Sequence, residues 1–135
     1  METAKSVTKS VDIESSVSAA FEYLANAENW PQWAVVNMLS VKRSQDGWYD
    51  TTTRFGKGRI RLDLDQPKGI LDHTWLDPQA SWSVPARLVA NGQGCTFMMT
   101  FFKPPILSDS QFIEAMKEMD TEFTQLKKIL EQGSL

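Results

Sequence analysis

The spacing of hydrophobic positions changes along the chain, and the changes mark out its elements. "SVTKSVDIE" alternates loosely and predicts a first strand. Ser15 or Ser16 suits an N-cap, and Val17, Ala20, Phe21 and Leu24 then fall on one face of a short helix. "NAENWPQW" reads as a second small helix or turn, because Pro31 is tolerated in a first helical turn and biases Trp30 toward extended backbone. From residue 37 the period becomes two. "NMLSVKRSQ" and "WYDTTTRF" flank Asp46 and Gly47, which predicts a hairpin with a type I′ turn.

"RIRLDLD" places Ile60, Leu62 and Leu64 on one face and Arg59, Arg61, Asp63 and Asp65 on the other. "ILDHTWL" follows "QPKG", "SWSVPARLVA" follows "DPQ", and "CTFMMTFF" follows "NGQG". Connections this short favour an antiparallel meander, since parallel crossovers need a dozen or more residues. Pro85 predicts an edge position or a bulge. The apolar side of the sheet is expected to carry Ile60, Leu62, Leu64, Trp82, Val84, Leu88, Phe97, Met99 and Phe101.

In "SDSQFIEAMKEMDTEFTQLKKILEQG" the period returns to that of a helix, with Phe112, Met116, Met119, Phe123, Leu126 and Leu130 on one face. Ser108 and Gln111 have capping-box spacing, Asp109 suits the positive end of the dipole, Lys127 and Lys128 the negative end, and Gly133 the stop. A coiled-coil dimer is the other reading of this spacing, weakened by Met and Phe in the seam.

Composition narrows the classes of function. A chain of 135 residues fits one domain, residues 1–135, and five Trp with seven Phe exclude a disordered chain. A net charge of -3 argues against nucleic-acid binding, which needs a basic face. One cysteine makes no internal disulfide, the N-terminus shows no apolar h-region, and no apolar run approaches a bilayer span. These features predict a soluble, cytoplasmic protein with no membrane span.

The order strand, two short helices, about six antiparallel strands and a long final helix resembles the helix-grip fold. The pieces that carry the resemblance are "AENWPQW", "GILDH", "ARLVANGQGCTFMMTFF" and "SDSQFIEAMKEMDTEFTQLKKILE". Over about residues 5 to 132 the chain resembles the START-like superfamily, also called SRPBCC, in its polyketide cyclase/dehydrase-like group. The resemblance implies an α+β domain whose curved antiparallel sheet, about seven strands, wraps around the C-terminal helix and encloses a cavity. Members of that superfamily include lipid and hormone carriers, aromatase/cyclases, coenzyme Q-binding proteins and chaperone activators.

The only histidine, His73, cannot pair with Asp72, because neighbours on a strand point to opposite faces. Either Leu71, His73 and Trp75 face inward, or Ile70, Asp72, Thr74 and Leu76 do; alternation leaves both open. A single histidine and cysteine make a zinc site improbable, the G-x-S-x-G elbow is absent, and "GKG" at 56–58 lacks phosphate-loop spacing. Cys95 beside Phe97 and Met99 reads as a small buried hydrophobe, and Asp63 and Asp65 as part of a solvated ion-pair face.

No catalytic residue, metal or cofactor is therefore expected. The expected function is binding of a small hydrophobic molecule, as a carrier or sensor, by a monomer or weak dimer. Trp33, Leu62, His73, Trp75, Trp82, Phe97, Met99, Phe112, Met116, Met119 and Phe123 are the expected lining. A cyclase/dehydratase-like enzyme and a chaperone-activator-like protein-binding module are the alternatives.

Overall fold

The computed structural model describes residues 1–132. Strand β1 (Ser6–Ile13) leads to helix α1 (Val17–Leu24), and a 3-10 helix over Ala27–Gln32 leads to β2 (Met38–Arg43) and β3 (Trp48–Thr53). Strands β4 (Gly56–Asp65), β5 (Ile70–Leu76), β6 (Ser81–Val84), β7 (Ala86–Asn91) and β8 (Gly94–Phe102) follow, and α2 (Asp109–Gln132) closes the order. All pairings are antiparallel. The curved sheet runs β1-β8-β7-β5-β4-β3-β2, with β6 paired to β5 off this path.

This order puts β1 and β2 at opposite edges, so the segment joining them must cross the open side of the sheet. Helix α1 does so against β7 and β8, and the 3-10 helix against β2. Ser16 caps α1 by accepting the Ala19 N–H at 3.1 Å, and Ala20, Phe21 and Leu24 are its buried face. The capping box forms as expected, with Ser108 N–H donating to Gln111 Oε1 at 2.8 Å and Gln111 N–H to Ser108 Oγ at 3.2 Å.

Three details differ from the expectations. Pro85 divides "SWSVPARLVA" into β6 and β7, so the sheet has eight strands; a proline gives no N–H to a ladder. Gly47 has φ 84° but Asp46 does not, so the hairpin closes through 44–47 rather than a type I′ turn. The Asp46 carboxylate instead accepts Arg59 Nη2 at 2.7 Å. Pro31 lies inside the 3-10 helix, which includes Trp30 as well. Gly133 lies outside the described residues.

The face assigned to "RIRLDLD" holds, with Arg59 paired to Asp46 and Asp50, and Arg61 to Asp63, on the outer face. Ile60, Val84, Leu88, Phe97 and Met99 are buried, and Leu62 and Phe101 pack at the margin of the core. Leu64 and Trp82 are 46% and 37% exposed. Leu64 stands beside the β4–β5 turn, and Trp82 belongs to β6, which pairs with β5 off the continuous path of the sheet. The apolar face of α2 is spent inside the molecule, where Phe112, Met116, Met119, Phe123, Leu126 and Leu130 are buried, so the coiled-coil reading has no seam left to use. Lys127, which was expected to face the helix end, reaches across to the Asp12 carbonyl O at 2.7 Å and to Glu131 at 2.6 Å.

Candidate ligand-binding site

Register fixes which side chains meet between sheet and helix. Leu62 pairs with His73 and His73 with Val84, and because paired residues share a face, the histidine follows its apolar partners inward. His73 is 8% exposed. Asp72 points the other way, where its Oδ1 accepts the Ala86 N–H at 2.9 Å and pairs with Arg87.

The ring of Trp30 stands edge-on to His73 with centroids 4.9 Å apart, and 5.7 Å from Trp33 on its other side. Trp33 in turn meets Phe97 at 6.4 Å and Phe123 at 6.3 Å, and the two phenylalanines meet at 5.5 Å. Edge-to-face and tilted contacts at these separations are the favourable ones for aromatic pairs. A continuous aromatic layer thus joins the 3-10 segment, the sheet and α2.

Burial pushes the His73 imidazole down to about 4, opposed by its contact with the Leu71 carbonyl and by the charges of Asp72 and Asp63. The ring is neutral at physiological pH. Its Nδ1 lies 3.3 Å from the Leu71 carbonyl O, the only hydrogen-bonding partner it has among the described residues. A neutral, solvent-excluded imidazole with no carboxylate to orient it is poorly suited to moving protons near pH 7. Among the described residues no three His, Cys, Asp or Glu side chains form a group that could hold a metal ion.

Of the residues expected to line a cavity, Trp33, His73, Phe97, Met99, Phe112, Met116, Met119 and Phe123 are buried, and Leu62 and Trp75 are partly so. Trp82 is set apart: it stacks on Trp75 at 6.1 Å, and the Trp75 Nε1–H donates to Asp77 Oδ2 at 2.7 Å. Cys95 is buried between Ile13 and Ala90 at the start of β8, as a small hydrophobe.

Two buried residues escaped the sequence. Trp30 touches the histidine, and only its place in "NWPQW" hinted at it. Glu122 is 2% exposed. Its signal was helical spacing, three residues after Met119 and four before Leu126, which puts a carboxylate on the apolar stripe.

Two clefts open elsewhere on the surface. One, about 740 Å³, lies on the outer face between Lys42, Asp50, Lys57, Arg59 and the turn at Asp77 and Pro78. The other, about 580 Å³, lies where Ile13 and Ser15 meet Gly94 and Lys127. Neither reaches the aromatic layer, where the side chains are in mutual contact. No helix among the described residues is long and apolar enough to cross a membrane.

No protein-family model and no curated protein matches the sequence. Solved structures do match its shape. An uncharacterized protein from Bacillus thuringiensis superposes with a TM-score of 0.77 at 12% identity, over 93% of this chain and 98% of that one. The di-domain ARO/CYC StfQ of the steffimycin biosynthetic pathway gives 0.71 at 15% identity, over 95% of this chain and 46% of that one. The Aha1 dimer from Colwellia psychrerythraea gives 0.68 at 11% identity, over 94% and 96%. Identities this low show the fold alone, and it is the helix-grip fold.

Proposed function

We propose that the protein binds a small hydrophobic molecule between the inner face of the sheet and α2, as a carrier or sensor, without chemistry. The observation that carries this reading is the make-up of that layer. It consists of aromatic rings and the thioethers of Met99, Met116 and Met119, and its two titratable groups are both engaged. His73 is held neutral by burial, and Glu122 is turned to the backbone of Val36 and Asn37. A layer of this kind solvates an apolar guest and offers little to a reaction. Room for the guest comes from side chains that change rotamer, and unbranched methionines do so most readily.

The buried position of His73 is the observation that favours a second reading, an enzyme of the cyclase or dehydratase kind, with His73 as the group that moves a proton. The neighbour StfQ is an ARO/CYC by name. A protein-binding module would use an exposed surface instead and leave the aromatic layer as core.

Native mass spectrometry of the purified protein separates these readings, together with titration by an apolar fluorophore. Binding predicts a co-purifying small mass, or fluorophore binding that alters tryptophan emission. Absence of both sinks the proposal.

A further inference from the structure

The indole N–H groups around the core are mostly provided with acceptors. Trp30 Nε1–H donates to the Leu24 carbonyl O at 2.9 Å, and Trp75 Nε1–H to Asp77. Trp33 is different. It is 2% exposed, its Nε1 is fully covered, and no described residue accepts a hydrogen bond from it. Its ring neighbours are Trp30, Phe97 and Phe123, which offer no oxygen. Folded chains seldom leave a buried donor unpaired, because it has lost its water and gained nothing in return.

We infer that the molecule held in this layer is uncharged and largely apolar, and carries a carbonyl or hydroxyl oxygen that accepts the Trp33 Nε1–H. The inference rests on the binding reading above and names the chemistry of its ligand. The oxygen would complete the hydrogen bond that the Trp33 Nε1–H leaves open, while the carbon frame packs on Phe97, Phe123 and the methionines.

Charge selects against an acid. Three cations at the rim of α2 are already paired, Lys9 with Asp120, Arg54 with Glu118 and Lys127 with Glu131. The imidazole inside carries no charge at neutral pH, and the buried carboxyl of Glu122, next to Phe123 in the chain, offers no positive charge. A carboxylate drawn into this layer would give up its hydration without a counter-ion.

Three probes that share one fused ring separate the possibilities: naphthalene, 2-acetylnaphthalene and 2-naphthoate, titrated by calorimetry. The ketone should bind about two- to tenfold more tightly than naphthalene, the range for one net hydrogen bond, and 2-naphthoate more weakly than either. In the indole region of a ¹H–¹⁵N spectrum of the wild-type protein, the Trp33 Nε1–H should lie further downfield in the ketone complex than in the naphthalene complex. Trp33→Phe keeps a ring and removes the donor, so the two neutral probes should become equal. If that variant fails to fold, the indole shift decides alone. Equal affinities for the neutral probes, an unmoved Trp33 resonance, or preference for 2-naphthoate overturns the inference while leaving a hydrophobic site in place. If none of the three binds, the binding reading itself falls, and this inference with it.

Discussion

Glu122 of α2 accepts the backbone N–H of Asn37 through Oε2 at 3.0 Å, which ties the helix to the segment that carries Trp33 and Ala34 inward. The same oxygen accepts the Val36 N–H at 3.1 Å and Asn37 Nδ2 at 3.3 Å. Burial raises the Glu122 carboxyl above the usual carboxylate range, the Asn37 and Val36 bonds oppose it, and the nearby Glu118 adds to the rise. The carboxylate is costly where it stands and is retained by its donors. It acts as a peg between the far edge of the sheet and the grip helix.

Removing that peg leaves the Val36 N–H and Asn37 Nδ2 without this acceptor, and the Asn37 N–H with only its longer bond to the Ala34 carbonyl O at 3.3 Å. Glu122→Ala should destabilise the fold by about 2–4 kcal/mol in urea denaturation, since each unsatisfied buried group costs on the order of 1–3 kcal/mol and some will find water. Glu122→Gln keeps a carbonyl oxygen that can accept, and should lose roughly half as much. An alanine variant within about 0.5 kcal/mol of wild type, the usual scatter of neutral surface changes, would show that the peg carries no strain.

Gly69 ends the short 3-10 helix at Gln66–Lys68 with φ 68°, and a Cβ there would lie 2.1 Å from the Leu88 carbonyl O. That carbonyl has little freedom, because the Leu88 N–H donates to the Gly69 carbonyl O at 2.9 Å. Left-handed backbone and a clash with main chain act together at Gly69→Ala. A loss of about 3 kcal/mol or more is expected. A thermal midpoint matching wild type would refute the close approach of β7 to this turn.

Much of the fold was legible because period and turn chemistry agreed. The capping box at Ser108, the alternation of "RIRLDLD" and the stripe from Phe112 to Leu130 each specify a face without tertiary help. The face of His73 was not legible, because "ILDHTWL" has large apolar residues on both sides of the strand. It is settled by pairing with Leu62 and Val84, which only the assembled sheet provides. Trp82 keeps the inner register its spacing predicts, paired with Trp75, yet stays 37% exposed because its strand pairs with β5 off the continuous path of the sheet. The aromatic layer was half visible. Phe97 and Phe123 follow from spacing, whereas Trp30 and Trp33 reach it on the segment that crosses from one sheet edge to the other.

Met119 is buried on the face of α2 that meets the sheet. If ligands enter by displacing flexible side chains, enlarging this one removes the room without altering any polar group. Met119→Trp should weaken binding of an apolar fluorophore by about tenfold or more, and cost about 1–3 kcal/mol of stability from overpacking. A probe that binds the variant as well as wild type has its site elsewhere, and the outer-face cleft beside Lys42 and Arg59 is then the place to look.

His73 connects burial to pH. Its imidazole titrates at about 4 in the fold and near the ordinary 6.5 once unfolded, so between these values the unfolded chain binds more protons. The stability this group contributes is complete above pH 6.5 and is lost as pH falls toward 4, on the order of 3 kcal/mol in all. Glu122, whose carboxyl is raised, runs the other way: its contribution declines as pH rises above the ordinary carboxylate range. The informative quantity is therefore the difference between wild type and His73→Gln, in which Glu122 cancels. That difference should grow from pH 4 to 6.5 and be flat from there to pH 8, in chemical denaturation at each pH. Binding of a neutral probe by His73→Gln should change by no more than a modest factor, the equivalent of about 0.5–1.5 kcal/mol. A difference curve with no slope would mean that His73 is solvated and charges freely. If a substrate is found whose turnover falls by roughly a hundredfold in His73→Gln, the loss expected for a general acid or base, then His73 is a catalyst and the binding reading is wrong.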